Sequence, residues 1–281
     1  MAVADSSTGE SVPYILVHSD REIRRLKHQA DIINPITRRI LLFAGIGPGM
    51  RVLDVGCGAG DVSLLIAELV GETGEVVGVD RAPAALAAAE RRVANYPAKN
   101  ISFREGDPGS LTFEKSFDAA VGRYVLMFQA DPAALLRDAA RHVRPGGVVA
   151  FHEPDWSGAR SHPPSRNYDQ SCEWIVETFK RTGIETRMGG KLDAVFRAAG
   201  LAAPAMHLEA VIGGETGGRD WAHQTNELMV TMLPEIIGRG VVAAGSIDPA
   251  AVEAGMMRDI AAGAVIMSRS EIGAWSRIAD G

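Results

Sequence analysis

The chain has 281 residues, of which 46% are apolar, with a formal net charge of −6 and a pI near 5.7. The apolar share supports a packed core and excludes disorder as the default state. No lysine or arginine run stands out, the nearest being REIRRLK at 21–27. That tells against a nucleic-acid partner, which needs a concentrated positive face.

The N-terminal stretch MAVADSSTGESVP is small and polar, so neither signal peptide nor membrane anchor is expected. No apolar run approaches the roughly 20 residues that cross a bilayer. The two cysteines, Cys57 and Cys172, form no CxxC or pairing framework, which fits a reducing, cytoplasmic setting.

Residues 1–18 are expected to be disordered and 19–45 to form cap helices. Ser19 and Glu22 make an S-x-x-E capping box ahead of Ile23, Leu26, Ala30 and Ile33. Pro35 is expected to interrupt that helix, and a second piece runs from Ile36 to Ala44. Strand and helix then alternate: RVLDV, a helix over 61–70, EVVGVD, an alanine-rich helix from Pro83, NISFRE, FDAAVGRY, a helix from Pro132 through Val143, and VVAFHE. Five strands separated by helices predict a doubly wound parallel α/β sheet.

After Glu153 the rhythm changes. PDWSGARSHPPSRN reads as a loop, followed by helices over 169–183 and 191–201, a strand MHLEAVI, helices around 219–238 and 248–262, and a last strand within AVIMSRSEIGAWSRIA, with a hairpin partner for it conceivable. Segments 155–190 and 213–263 read as helical lid insertions in a domain spanning 46–281.

Ligands of open parallel sheets bind beyond the carboxyl ends of the strands. Four features fall there: the loop DVGCGAG with Gly56, Gly58 and Gly60, then Asp80, then Asp107 with Pro108, then Arg123. Glycine lets a backbone approach a ligand closely, and an acid closing the second strand can accept from both ribose hydroxyls. The dinucleotide fingerprint G-x-G-x-x-G places its third glycine on the helix; here that position is Asp61, which would oppose a pyrophosphate. A phosphate-free adenosyl ligand carrying an ammonium and a sulfonium suits these acids better, and S-adenosylmethionine (SAM) is one.

VLDVGCGAG, GVD, GD at 106–107, FDAAVGRYVLMF and RPGGVVAFHEPD, in this order and spacing, resemble class I SAM-dependent methyltransferases, closest to the small-molecule branch of the ubiquinone/menaquinone-biosynthesis type. The resemblance implies a Rossmann-like, mostly parallel seven-stranded sheet with N-terminal helices and a helical lid. It implies that Gly56 and Gly58 pass under the methionine of SAM, Asp54 sits near its amino group, and Asp80 holds the ribose. Asp107, Pro108 and Arg81 would border the adenine, Arg123 the methionine end, and Tyr14 and Gln29 would close from the N-terminal helices.

His152, Glu153 and Asp155 close the fifth strand and are the candidate bases, although Glu153 could instead orient a backbone or SAM group. Gly60 could serve helix packing alone, Asp107 a turn, and Arg123 an ion pair. Without an HExxH or other ligand spacing, no metal is expected. Trp156, Trp174, Trp221 and the methionines at 229, 232, 256, 257 and 267 suggest an apolar pocket or plain core. The expected partner is a small, mostly apolar acceptor, and a homodimer is allowed. A SAM-binding cyclase or scaffold that does not methylate, and a nucleotide-dependent oxidoreductase, stay open.

Overall fold

A computed structural model describes residues 20–94, 96 and 100–280. The helix α1 (Asp20–Phe43) is followed by β1 (Arg51–Val55), α2 (Asp61–Val70), β2 (Glu75–Asp80), α3 (Pro83–Ala94), β3 (Ile101–Glu105) and β4 (Phe117–Arg123). A 3-10 turn over Leu126–Phe128 leads to α4 (Pro132–Ala140) and β5 (Val143–Asp155). The β-branched runs become the buried central strands; Val52, Leu53 and Val55 of β1 are shielded on both faces.

The second half opens with β6 (Arg160–His162), α5 (Arg166–Arg181), α6 (Met188–Ala198) and β7 (Ala205–Glu209). It continues with β8 (Ile212–Gly213), α7 (Gly218–Gly238), α8 (Pro249–Ala261), β9 (Val265–Met267) and β10 (Ser270–Arg277).

The main sheet has seven strands in the order β3-β2-β1-β4-β5-β10-β7. β1 pairs in parallel with both β2 and β4, and β10 runs antiparallel between β5 and β7. The chain therefore winds outward in opposite directions from β1 and β4. Their carboxyl ends flank the switch point, where helices leave toward opposite faces and open a crevice. The seven-stranded, mostly parallel sheet agrees with the expected fold class.

Three local readings differ. Pro35 does not interrupt α1, which is continuous across it. Ile33, Ile36 and Ile40, on both sides of the proline, are buried on one face. Burial worth about 1.5–3 kcal/mol each outweighs the roughly 3 kcal/mol proline penalty. The capping box falls on Ser19, outside the described residues.

The helix expected through Val143 stops at Ala140, and the RPGG segment joins β5. The β4–β5 pairing shifts register between Phe117 and Ala119, so Val143 and Val148 flank a bulge that absorbs it. Finally, β6, β9 and β8 form a separate three-stranded antiparallel sheet. The expected loop thus holds a strand, MHLEAVI splits between two sheets, and β10 pairs with β5 and β7 rather than with a hairpin partner. Runs of three residues or fewer are too short to show a period.

One hydrophobic cluster runs from Leu53, Val77 and Phe151 of the sheet into Tyr168, Trp221, Met229 and Met256 of the covering helices. The methionines Met229, Met232 and Met256 are core, while Met257 is partly buried against it.

Candidate functional site

A cavity of about 450 Å³ opens at the switch point, between the β1, β2 and β4 ends and the covering helices. One side is the loop after β1. Gly58 has φ +54°, and a Cβ there would point into open space, so the glycine keeps a shallow cradle clear. Gly56 has a different reason: its φ is +65° and a Cβ would lie 2.7 Å from Val125. A Cβ at Gly60 would meet Ala89 at 3.3 Å, which is the helix-packing role considered for it.

Asp80 closes β2 and lines the cavity. Its Oδ2 accepts from the Gly58 N–H at 2.9 Å and its Oδ1 from the Ala82 N–H at 2.9 Å. The carboxylate thus sets the loop's shape, and each oxygen keeps acceptor capacity. Arg81 lines the same wall and pairs with Asp107 at 3.3 Å. Asp107 also builds its own turn, accepting from the Gly109 and Ser110 N–H groups. Pro108 lines the cavity, and its carbonyl contacts His142 Nε2 at 2.7 Å.

Arg123 and Gln29 reach the cavity from β4 and α1. Arg123 donates to Asn34 Oδ1 at 2.8 Å and to Thr37 Oγ1 at 3.0 Å, so its partners are neutral rather than an ion pair. Gln29 accepts from Arg25 at 2.9 Å and from Gln224 at 3.4 Å, tying α1 to α7. Tyr14 lies outside the described residues.

Four sequence-derived candidates do not reach the cavity. Asp54 is buried against Ser63, whose hydroxyl donates to it at 2.5 Å, and so fastens α2 to β1. His152, Glu153 and Asp155 also point away from it. Pro154 of β5 does line the cavity, but its three neighbours are buried and spent on interior partners. Glu153 accepts from the Val125, Leu126 and Met127 N–H groups at 2.8, 2.7 and 3.3 Å, holding the turn after β4. Burial raises its carboxyl to about 8, against those three donors. Asp155 caps the turn at Ser157.

His152 sits in a buried chain. Burial lowers its pKa, so the ring is neutral. Its Nε2 faces Glu271 Oε2 at 3.0 Å, and its Nδ1 faces Thr37 Oγ1 at 3.2 Å. With Nε2 donating to the carboxylate, Nδ1 is left as an acceptor facing Thr37, whose hydroxyl donates to the Ile33 carbonyl at 3.1 Å and accepts from Arg123.

The same Glu271 oxygen accepts from the Tyr124 hydroxyl at 2.6 Å, and Arg269 Nη2 donates to that hydroxyl at 3.1 Å. Tyr124 itself stands at φ +57°, a left-handed conformation costing about 1–3 kcal/mol that its surroundings enforce. The Arg269–Glu271 pair was missed in the sequence. The signal was SRSE: two opposite charges two residues apart at the entry to the final strand.

Asp61 pairs with Arg92 at 2.7 Å, so its charge is offset at the start of α2. Asp80 and Asp107, which line that end of the cavity, are the acids that would oppose a pyrophosphate. Among the described residues, no group of three or more His, Cys, Asp or Glu stands where it could hold a metal ion.

Asp54 makes stability pH-dependent. Its burial raises the folded pKa from 3.8 to about 7. A folded acid with a raised pKa binds protons the unfolded chain has released, so its contribution is full below about pH 4 and lost as pH rises through 7. Asp54→Asn is expected to be near neutral at about pH 4 and stabilising by roughly 2–4 kcal/mol at pH 8, relative to wild type. Denaturant unfolding at both pH values checks this; equal differences at the two would refute it.

With this geometry in place, the comparisons are informative. A family profile described as a methyltransferase domain matches residues 46–200, more than half of the chain. The chain belongs to that family, within the class I SAM-dependent methyltransferases. An uncharacterised protein of transposon Tn4556 from Streptomyces fradiae is 34% identical over 159 residues, covering 56% of this chain and 45% of that one. An arsenite methyltransferase of Halobacterium salinarum is 37% identical over 40% of this chain and 29% of its own. A demethylmenaquinone methyltransferase of Lactococcus lactis subsp. lactis is 35% identical over 44% and 48%. The chain thus spans about half or less of the curated relatives it matches.

Among solved structures, the [4+2]-cyclase SpnF is 22% identical with a TM-score of 0.56, over 88% of this chain and 82% of that one. The YcgJ protein of Bacillus subtilis is 18% identical with a TM-score of 0.56, over 88% and 98%. At these identities the likeness is one of fold.

Proposed function

We propose that the chain transfers a methyl group from SAM to a small, largely apolar acceptor, without a metal ion. The observation that carries this is one continuous cavity with two chemically different ends. Gly58, Asp80 and Asp107 line the loop end, while Met127, Leu135, Pro154, Trp156, Phe179 and Leu228 line the other.

The residues present suit SAM. The Gly58 cradle admits a ligand against the backbone, and Asp80 keeps free acceptor capacity for ribose hydroxyls. Arg81, Asp107 and Pro108 would border the adenine, and Arg123 would face the carboxylate of the methionine part. When bound, SAM supplies a methyl group already activated on a sulfonium. The chain's task is then to align donor and acceptor and to exclude water.

Glu153 serves by holding the Val125–Met127 turn, and Thr37, His152 and Glu271 by holding Arg123 and Tyr124. In this reading 155–190 and 213–263 act as the lid, because Trp156, Phe179 and Leu228 come from them. The free, buried Cys57 and Cys172 suit a reducing cytoplasm. Among the described residues no helix is long and apolar enough to cross a membrane.

Calorimetry with S-adenosylhomocysteine (SAH) and NAD tests the donor, with SAH expected to bind. Binding of NAD alone would overturn the reading. Release of SAH on incubation with SAM and aromatic or arsenical acceptors tests transfer. SAM binding with no SAH released in any mixture would leave a binder that does not methylate. Gly58→Leu is expected to fill the cradle and weaken SAH at least roughly tenfold, at a strain cost of about 1–2 kcal/mol. Unchanged affinity, measured by the same calorimetry, would remove the loop from the donor site.

A further inference from the structure

At the apolar end of the cavity stands one group that a greasy pocket does not need. Arg269 is 5% exposed, yet its side chain contributes to the cavity wall. Its guanidinium lies 5.2 Å from the Tyr124 ring centroid, 5.0 Å from Trp156 and 5.2 Å from Trp221. Rings fix its plane without using its N–H groups. Nη2 donates to the Tyr124 hydroxyl. Nε approaches Glu271 Oε1 at 2.9 Å, but off the hydrogen-bond direction, and neither atom has a directed partner. Among the described residues Nη1 has no acceptor.

The Arg269 guanidinium is thus buried, rigidly framed and short of hydrogen-bond acceptors, with an apolar cavity before it. Such a group costs several kcal/mol in desolvation unless its remaining donors are met. Glu271 meets the charge only in part, because its Oε2 is already shared by Tyr124 and His152. No carboxylate or histidine lines the lid end of the cavity among the described residues, so an acceptor there finds donors but no base.

Building on the methyltransferase reading, we infer that Arg269 receives an anionic oxygen of the acceptor, making this a site for planar apolar molecules that carry a phenolate or a carboxylate. Trp156, Phe179 and Leu228 contact the apolar body, and the free Arg269 N–H groups take the oxyanion. A guanidinium presents paired donors to such an oxygen, which an ammonium cannot match. An acceptor arriving as an anion has no proton to lose at the nucleophilic oxygen, which suits a cavity end without a base.

Quenching of tryptophan fluorescence tests this with three near-isosteric probes: 4-nitrophenol at a pH where it is ionised, 4-nitrobenzoate, and neutral 4-nitroanisole. Each is titrated with and without saturating SAH into wild type, Arg269→Gln and Arg269→Lys. Wild type is expected to bind at least one anion about 10- to 100-fold more tightly than 4-nitroanisole. Arg269→Gln should erase that preference, and Arg269→Lys should keep part of it. Preference for nitrophenolate or for nitrobenzoate then distinguishes a phenolic from a carboxylic acceptor. Equal binding of the neutral ether by wild type, or an unchanged preference in Arg269→Gln, overturns the inference. If Arg269→Gln does not fold, the wild-type comparison and Arg269→Lys decide. An anion preference in a protein that does not bind SAH would uphold the oxyanion site and overturn the donor reading instead.

Discussion

Asp80→Asn is expected to weaken SAH binding by roughly 30- to 1,000-fold, corresponding to about 2–4 kcal/mol. The side chain does two things at once. Its two oxygens each accept a backbone N–H, one from the glycine loop at Gly58 and one from Ala82 at the entry to α3. An amide has only one acceptor oxygen, so one of these N–H groups would face another donor. The loop then relaxes, and the charge-assisted hydrogen bonds offered to ribose hydroxyls weaken as well.

Asp107→Asn is the internal control. Its ion pair with Arg81 joins side chains that are 32% and 52% exposed, and such surface pairs contribute about 0–1 kcal/mol. Its loss should change affinity less than about tenfold. Calorimetry on both variants, with thermal unfolding to confirm the fold, checks the contrast. An Asp80→Asn affinity within about threefold of wild type would remove Asp80 from the donor site.

Glu271→Ala carries the largest expected stability loss, about 3–5 kcal/mol. The carboxylate is 0% exposed and sits on β10, between β5 and β7. Burial by itself pushes its pKa up, but Arg269 and then His152 bring it below its ordinary value. Removing it leaves the Arg269 cation buried without its counter-ion, and it takes the acceptor from Tyr124 and His152. Unfolding temperature should fall by on the order of 10 °C. The double variant Arg269→Met with Glu271→Met should recover much of that loss, because the penalty comes from the uncompensated charge rather than from a missing attraction. Unfolding of Glu271→Ala at the wild-type temperature would show that Glu271 does not balance Arg269.

The glycine loop and the acids after β2 and β3 were legible in the sequence because local rules govern them. A glycine is required where φ is positive and a ligand must come close, and an acid ending a buried strand needs something to accept from. Five of the residues so identified, Gly56, Gly58, Asp80, Asp107 and Pro108, line the cavity, as does Arg81, which only the family resemblance implied. Asp54 sits only two residues before Gly56, but inside β1, where α2 covers it and Ser63 takes up its carboxylate. Period alone cannot tell these positions apart, because only the neighbouring helix decides whether a position is a site or a core.

The candidate bases show the same limit. His152, Glu153 and Asp155 stand at a strand end, where a parallel sheet usually opens, yet Glu271 and Thr37, the Val125–Met127 turn and the Ser157 turn take up their side chains. Likewise Pro35 broke no helix, since a propensity penalty is local and the burial of Ile33, Ile36 and Ile40 is not.

By itself the amino-acid sequence determined the α/β alternation, the glycine loop and the acidic rim of the donor end, through hydrophobic period and backbone sterics acting within a few residues. Tertiary structure alone decided the acceptor end. Arg269 and Glu271 lie 145 and 147 residues beyond Tyr124, and only the insertion of β10 beside β5 brings the three together. Charges that meet across such a distance in the chain have no periodicity to announce them. Their pairing is set by which strand takes the place beside β5.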